Sequence, residues 1–109
     1  MISWEDFEKI DIRCGTVIDV ADFLKAKKPA YKLTVDFGEA GIKRSSAQIT
    51  TLYTKEELVN KQVFAVINFP PKQIADYISE CLVLGVYNQN DEVVLLESGL
   101  KVENGCKVG

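Results

Sequence analysis

The stretch KPAYKLTVDFG, from Lys28 to Gly38, decides the fold because its side chains alternate between apolar and polar. The apolar positions are Tyr31, Leu33, Val35 and Phe37, and the polar positions between them are Lys32, Thr34 and Asp36. Alternation with a period of two is typical of a strand that buries one face. The stretch therefore predicts a β-strand that packs its aromatic and aliphatic side chains into a core and leaves a polar outer face.

The segments on either side predict further strands. Upstream, the apolar positions Ile10, Ile12, Cys14, Ile18 and Val20 alternate with the polar or small positions Asp11, Arg13, Gly15 and Asp19. This pattern predicts a long half-buried strand in which Gly15 permits a bend or a bulge. Downstream, residues 38–41 (GEAG) predict a hairpin turn into a third strand near Ile42 to Ile49.

Two capping boxes predict short helices. Ser3 with Asp6 marks the start of a helix over residues 4–9, and Thr54 with Glu57 marks the start of another that ends near Val59.

The second half of the chain predicts more strands. The apolar runs 63–67 and 81–87 are typical of strands covered on both faces, and 92–96 follows a turn at 88–91. Residues 68–72 (NFPPK) cannot continue a strand because proline has no N–H to donate. Three strands, a short helix and further strands in one domain (residues 1–109) predict an all-β protein: a five-stranded OB-fold barrel with short helices between strands and at the N-terminus. An SH3-like or other small barrel is the alternative.

Composition predicts a cytoplasmic protein that does not insert into a membrane. No apolar run approaches the length of a membrane span, and the first nine residues are acidic and amphipathic, unlike a secretory signal. The three cysteines, Cys14, Cys81 and Cys106, form no CxxC pair, and their odd number argues against a disulfide framework. Cys14 and Cys81 lie among apolar residues and are interpreted as small buried hydrophobes.

The absence of histidine excludes several kinds of catalytic site. Zinc sites built on Cys and His, Ser-His-Asp triads and Cys-His nucleophiles all need this residue. The phosphate-binding motifs GxxxxGK[ST] and GxGxxG are also missing. We therefore expect a protein that is not an enzyme and needs no cofactor, although a paired-carboxylate site remains the alternative.

Charge is segregated along the chain. Residues 25–44 carry six basic and two acidic side chains, a net charge of +4, although the whole chain carries −3. A concentrated basic segment favours a binding site for a polyanion. Uneven charge without a function is the alternative, and charge alone does not separate the two.

Six motifs then occur in a characteristic order: DIRCG (11–15), KPAYKLTVDFG (28–38), RSSAQIT (44–50), YTKEEL (53–58), NFPPKQI (68–74) and SECLVLG (79–85). Over about residues 7–105 the chain resembles the tRNA-binding OB domain that occurs alone or appended to aminoacyl-tRNA synthetases. Within that family it looks most like the CsaA type, described as an export chaperone. The chain departs from many members at Lys28 (often His), at Ile74-Ala75 (often Arg-Gly) and at Cys81-Leu82 (often Gly-Met).

The basic segment and the resemblance together predict a tRNA-binding surface. Lysine is suited to phosphate contacts as a mobile point charge, and serine and glutamine donate hydrogen bonds to backbone oxygens. The predicted tRNA-binding residues are Arg13, Lys25, Lys27, Lys28, Lys32, Lys43, Arg44, Ser46, Gln48, Lys72 and Ser79. For any single lysine a solvated strand face is the alternative, and Arg13 has the alternative of pairing with Asp11. We expect recognition of the shape of folded tRNA rather than of base edges.

Aromatic residues near the proline loop suggest a second binding surface. Phe69, Pro70 and Tyr77 lie at or beside the proline loop and are predicted to bind apolar peptide, and stacking on RNA bases is the alternative for Phe69 and Tyr77. Tyr31 falls in the core register instead. A peptide-binding export chaperone with vestigial RNA binding, acting on unfolded precursors and the export machinery, is therefore the alternative function.

Trp4 and Phe7 lie one turn apart on a helix too short to be stable alone. They pack on their own barrel or, as the resemblance to homodimeric CsaA proteins implies, against a second copy.

Overall fold

A computed structural model describes residues 1–109, and its elements follow the predicted order. The helices are α1 (Trp4–Glu8) and α2 (Lys55–Leu58). The strands are β1 (Ile12–Asp22), β2 (Tyr31–Asp36), β3 (Ile42–Ala47), β4 (Gln62–Val66), β5 (Lys72–Ile74), β6 (Tyr77–Ser79), β7 (Leu82–Val83), β8 (Gly85–Tyr87) and β9 (Val93–Leu95). None of the helices has the length and apolar character needed to cross a membrane.

Five antiparallel strands form the barrel. Their order in the sheet is β3-β2-β1-β4-β7. The ends of this sheet meet where the Glu80 N–H donates to the Arg44 carbonyl at 2.7 Å and the Ser45 hydroxyl donates to the Cys81 carbonyl at 2.9 Å. These bonds tie β3 to the chain just before β7, and the predicted five-stranded barrel with a few short helices is confirmed.

The predicted alternation of β2 is confirmed. Tyr31, Leu33, Val35 and the following Phe37 are all buried in one core cluster. Both predicted capping boxes are also present, at Ser3 and at Thr54. The second one starts α2, whose Leu58 is fully buried in the same cluster. These elements were predictable because their signals lie within a few residues of one another.

The prediction for β1 assigned the wrong residues to the buried face. Gly15 lies opposite Val63 and Val17 lies opposite Val35, so these two positions face the core. An irregularity in the pairing at Ile18 leaves that side chain 43 % exposed. One extra residue in a strand shifts every later side chain to the other face, which restores the predicted inward position of Val20.

Gly15 serves a close approach rather than a bend. A Cβ atom at this position would lie 2.6 Å from the Phe37 ring.

The C-terminal segment pairs with an edge of β1, which the sequence did not predict. Cys14 on β1 is buried outside the barrel core, and its N–H donates to the Cys106 carbonyl at 2.9 Å. The Val108 N–H donates to the Ile12 carbonyl at the same distance. Burial raises the pKa of the Cys14 thiol. The first part of β1 is therefore hydrogen-bonded along both edges, to β4 and to the C-terminal segment.

The proline loop leads into a hairpin that the sequence analysis missed. β5 pairs with β6 around the two-residue turn Ala75-Asp76. Ala75 has a φ of +52°, in the left-handed region that favours glycine.

The apolar run 81–87 also differs from its prediction as one covered strand. It divides between β7 and β8, and β8 pairs with β9 in a separate hairpin. Val86 and Tyr87 are exposed.

Candidate nucleic-acid interface

A small apolar cluster outside the barrel core organises the site. It consists of the buried residues Phe23, Ala30 and Tyr77, with Ala26 and Ile74 packed against them. Phe23 and Ala30 close the β1–β2 loop, since the Phe23 N–H donates to the Ala30 carbonyl at 3.1 Å. The cluster therefore joins the lysine-bearing β1–β2 loop to the β5–β6 hairpin, two segments that lie far apart in the sequence.

Ion pairing differs among the cations around this cluster. Lys25 Nζ lies 3.4 Å from a carboxylate oxygen of Asp76 in the hairpin turn. Lys27 and Lys28 are exposed on the same loop and make no ion pair. Unpaired surface lysines keep their charge available to a polyanion, because no neighbouring carboxylate neutralises it.

Two more cations lie on the outer face of the sheet. Lys32 on β2 is opposite Ser46 on β3, and Thr34 on β2 is opposite Arg44 on β3. The intervening Leu33 and Ser45 are fully buried, so the even-numbered side chains point outward. The ordinary alternation of these strands thus places Lys32, Arg44 and Ser46 on one face.

Three adjoining grooves run beside β3. The first, of about 460 Å³, is lined by Lys28 and Gln48 among others. The second, of about 440 Å³, shares Gln48 with the first and Ser46 with the third. The third, of about 430 Å³, is lined by Ser46, Lys72 and Ser79 together with Phe69 and Pro70.

Most of the predicted tRNA-binding residues therefore share one region of the molecule. We call it the basic surface, which comprises Lys25, Lys27, Lys28, Lys32, Arg44, Ser46, Gln48 and Lys72. Both of the acidic side chains that pair with its cations, Asp76 and Glu80, come from the β5–β6 hairpin or the residue after it.

Three predicted residues have other surroundings. Arg13 forms an ion pair with Asp11, with 2.6 Å between Nε and Oδ1, and also donates to the Gly105 carbonyl at 3.0 Å. The hydrogen bond from Arg13 lowers the pKa of Asp11. Lys43 lies opposite Val35, on the register that faces inward, and not on the face of Arg44. Neither belongs to the basic surface.

The third is Ser79, which lines a groove but has its hydroxyl engaged. It accepts from the Ser46 N–H at 3.3 Å and donates to the Cys81 carbonyl at 3.3 Å. This hydroxyl helps to hold β3 against the hairpin. The neighbouring Ser46 hydroxyl makes no hydrogen bond within the protein, which leaves it free for a ligand.

The expectation that Tyr77 is accessible is wrong. Its side chain is 8 % exposed, packs edge to face on Phe23 with the ring centres 5.5 Å apart, and donates to the Leu33 carbonyl at 3.3 Å. Burial raises the pKa of its hydroxyl. The hairpin, which the sequence analysis missed, turns Tyr77 toward the barrel. Phe69 by contrast is 53 % exposed.

The N-terminal helix leaves its aromatic residues partly uncovered. Trp4 is 85 % exposed and Phe7 is half-buried. Asn68 anchors the end of the helix, because its side chain accepts from the Asp11 N–H at 3.0 Å and donates to the Lys9 carbonyl at 2.7 Å. The helix is therefore fixed to the barrel while Trp4 lacks a partner in this chain.

Sequence reasoning missed Phe23, Asp76 and Glu80. Phe23 directly precedes the lysine loop, so an apolar residue at that strand end was the available signal. No sequence pattern indicated Asp76 or Glu80, because their ion pairs with Lys25 and Arg44 depend on how the hairpin packs.

Comparisons with known proteins agree with this geometry. Residues 12–107 match the family model of the putative tRNA binding domain. Among curated proteins, the methionine–tRNA ligase of Pyrococcus horikoshii is 35 % identical over 107 residues, which is 98 % of this chain and 14 % of that protein. The ligase of Methanococcoides burtonii is 33 % identical over 97 residues, 89 % of this chain and again 14 % of the relative. The chain thus spans about a seventh of the length of these ligases.

Solved structures match over the whole chain. The CsaA chaperone protein of Picrophilus torridus is 55 % identical with a TM-score of 0.94, and each chain is covered completely. The chaperone CsaA of Bacillus anthracis is 47 % identical with the same TM-score, covering 100 % of this chain and 99 % of that one. The family match and these likenesses, which agree with the motifs and the barrel described above, show that the chain belongs to the tRNA-binding domain family as a CsaA-like member.

Proposed function

We propose that the protein binds folded tRNA through the basic surface. The observation that carries this proposal is the convergence of three separate segments on one face: the β1–β2 loop, the outer side of β2 and β3, and the start of β5. Lys28, Lys32 and Lys72 make no ion pair within the chain, so their charge is available to phosphates. The tRNA-binding domain family supports the choice of ligand.

Recognition on this surface follows shape rather than bases. Lysine contacts to phosphates set position and affinity but carry no sequence information. Ser46 and Gln48 line the grooves as short polar side chains that suit the sugar and phosphate oxygens. We therefore expect tRNAs of different anticodon to bind with similar affinity.

The proposal is binding without catalysis. Asp76 and Glu80, two of the carboxylates near the basic surface, are each ion-paired with a cation, which suits positioning rather than proton transfer. Asp91 and Glu92 also line the groove that contains Lys28. We place this activity in the cytoplasm, where tRNA is present.

Charge reversal tests the proposal directly. Lys28→Glu with Lys32→Glu should weaken tRNA binding and flatten the dependence of log affinity on log salt by at least about 0.7 per lost phosphate contact. The matched control is Lys101→Glu with Lys107→Glu, which makes the same charge change on exposed lysines outside the basic surface. Equal losses in both double variants would mean that net charge alone governs binding, and the assignment of the surface would be wrong.

A second candidate function, chaperone-type peptide binding, is favoured by the third groove. Phe69 and Pro70 are exposed there beside Ile74 and Leu82, and both similar full-length structures carry the name chaperone. We propose that this apolar end holds extended segments of unfolded precursors, including export substrates delivered to the export machinery. Phe69→Ser should then abolish suppression of aggregation of an unfolded precursor.

The matched control for this test is Val59→Ser, at an apolar exposed position on the α2 side. If Phe69→Ser suppresses aggregation as well as the parent does, the groove has no peptide-binding role. Since Lys72 lines the same groove, the peptide site and the basic surface adjoin, and Tyr77 is not part of it.

We further propose a homodimer that uses α1. Trp4 is exposed on a helix that Asn68 fixes in place, which is an arrangement suited to a partner surface. Sedimentation should give about twice the chain mass, and Trp4→Ala with Phe7→Ala should shift it toward the monomer. A monomeric parent at micromolar concentration would refute this proposal.

A further inference from the structure

We propose that Tyr77 is a positioning residue that holds Lys32 and Arg44 together as a clamp for one phosphodiester group of the bound RNA. This inference rests on the proposed tRNA binding and assigns a role to a side chain that the RNA itself does not reach. Tyr77 is 8 % exposed, so its contribution passes through the two cations that lie over its ring.

The geometry around the ring is specific. Lys32 Nζ lies 5.1 Å from the ring centre of Tyr77 and 5.1 Å from that of Phe23. Arg44 Cζ lies 5.3 Å from the ring centre of Tyr77. Cations at these distances are attracted by the negative face of an aromatic ring. The two positive groups therefore share one neutral aromatic partner, the Tyr77 ring.

The aromatic platform is itself rigid. Tyr77 and Phe23 pack edge to face at an angle of 62°, and both are buried. The Tyr77 hydroxyl is fixed by the Leu33 carbonyl at 3.3 Å. A platform that does not move limits the conformations of the long side chains that rest on it. Less rotamer freedom then remains to be lost when a phosphate binds.

Neighbouring carboxylates leave part of the clamp open. Glu80 Oε1 accepts a hydrogen bond from the backbone N–H of Arg44 at 3.0 Å. The same oxygen lies 3.4 Å from Nε of the Arg44 guanidinium. This pairing leaves the two terminal nitrogens of the guanidinium without a partner, and those nitrogens form the bidentate edge that matches a phosphate. Lys32 makes no ion pair, and Asp19, which lies opposite Thr34 on the neighbouring strand, pairs with neither cation.

Substitutions of Tyr77 separate the role of the ring from that of the hydroxyl. Tyr77→Leu removes the ring and should weaken binding of bulk tRNA by about fivefold. It should also lower the slope of log affinity against log salt by about 0.7, as expected for one lost phosphate contact. Tyr77→Phe keeps the ring and should restore affinity to within about twofold of the parent and restore the slope.

A coupling measurement keeps the test independent of any loss of stability. Lys32→Gln should weaken tRNA binding in the parent but have little further effect in the Tyr77→Leu background, because the clamp is already lost there. Should Tyr77→Leu fail to fold, Tyr77→Met, a more flexible apolar side chain that also lacks the ring, takes its place in the same cycle. Both variants are first checked by circular dichroism and thermal melting.

The outcomes distinguish the clamp from the function on which it rests. A parent that shows no salt-dependent tRNA binding overturns the proposed function and the clamp with it. If the parent binds tRNA and Tyr77→Leu keeps the parent's affinity and salt dependence, only the clamp is refuted. The clamp is also refuted if Lys32→Gln weakens tRNA binding equally in the parent and in the Tyr77→Leu variant.

Discussion

Two adjacent serines, Ser45 and Ser46, should respond in opposite ways to the same substitution. Ser45 is fully buried, and its hydroxyl donates to the Cys81 carbonyl at 2.9 Å, which is one of the bonds that close the barrel. Ser46 is only half-buried, lines the grooves and makes no hydrogen bond through its hydroxyl. Removal of the first hydroxyl therefore affects folding, and removal of the second affects binding.

The size of the folding effect follows from the bond that is lost. A hydrogen bond within a protein contributes about 0.5–1.5 kcal/mol to stability. The Cys81 carbonyl keeps the Ser79 hydroxyl as a donor at 3.3 Å, so it is not left without a partner. We therefore expect Ser45→Ala to lower the free energy of unfolding by about 1 kcal/mol and the melting temperature by about 5 °C. Its affinity for tRNA should be unchanged.

Ser46→Ala should have the reverse effect. Loss of one hydrogen bond to an RNA oxygen weakens binding by about three- to tenfold. The melting temperature should remain within about 1 °C of the parent, since the side chain has no partner to lose. Urea denaturation followed by circular dichroism gives the first quantity, and a filter-binding titration with tRNA at fixed salt gives the second. If Ser45→Ala weakens binding while stability is unchanged, the outward and inward assignments of β3 are wrong.

Three further predictions concern local features of the fold. Gly15→Ala should cost about 1–3 kcal/mol of stability, measured by denaturant unfolding, because the new methyl group meets the Phe37 ring at 2.6 Å; an unchanged midpoint would contradict the packing. Ala75→Gly should raise stability by up to about 1 kcal/mol, since glycine adopts the φ of +52° without strain, and a lower melting temperature would refute this explanation of the turn. The pKa of Glu57 is lowered by the backbone and side chain of Thr54, so this carboxylate stabilises the fold above its unfolded pKa and loses that contribution as the pH falls. Glu57→Ala, which removes this carboxylate, should therefore lower the melting temperature more at pH 7 than at pH 3, and an equal loss at both pH values would argue against the capping box.

Local signals in the sequence were sufficient for several elements. The alternation of β2 and the capping box at Thr54 both appear in the structure as predicted. Each depends on residues within one strand or one helical turn, and the physical cause of each acts over the same short distance. The six ordered motifs likewise indicated the family, which the match over residues 12–107 confirms.

The candidate site was predictable only in part. Charge segregation pointed to the β1–β2 loop and to β2 and β3, and the structure brings Lys28, Lys32 and Arg44 to one face. Lys43 alternates with Arg44 along β3, so only one of the two can face outward, and in the structure that residue is Arg44. The basic segment carried the charge, but strand geometry decided which side chains present it.

By itself the sequence determined β2, the two short helices, the barrel class and the family, because periodicity, capping and motif order are properties of neighbouring residues. Only the tertiary structure decided which face of β1 is buried and where Tyr77 points. The first depends on the irregularity in strand pairing at Ile18. The second depends on a hairpin that packs Tyr77 against Phe23, 54 positions earlier in the chain. An apolar side chain is buried by whichever surface packs against it. That surface often belongs to a segment far away in the sequence, so only the folded structure shows which one it is.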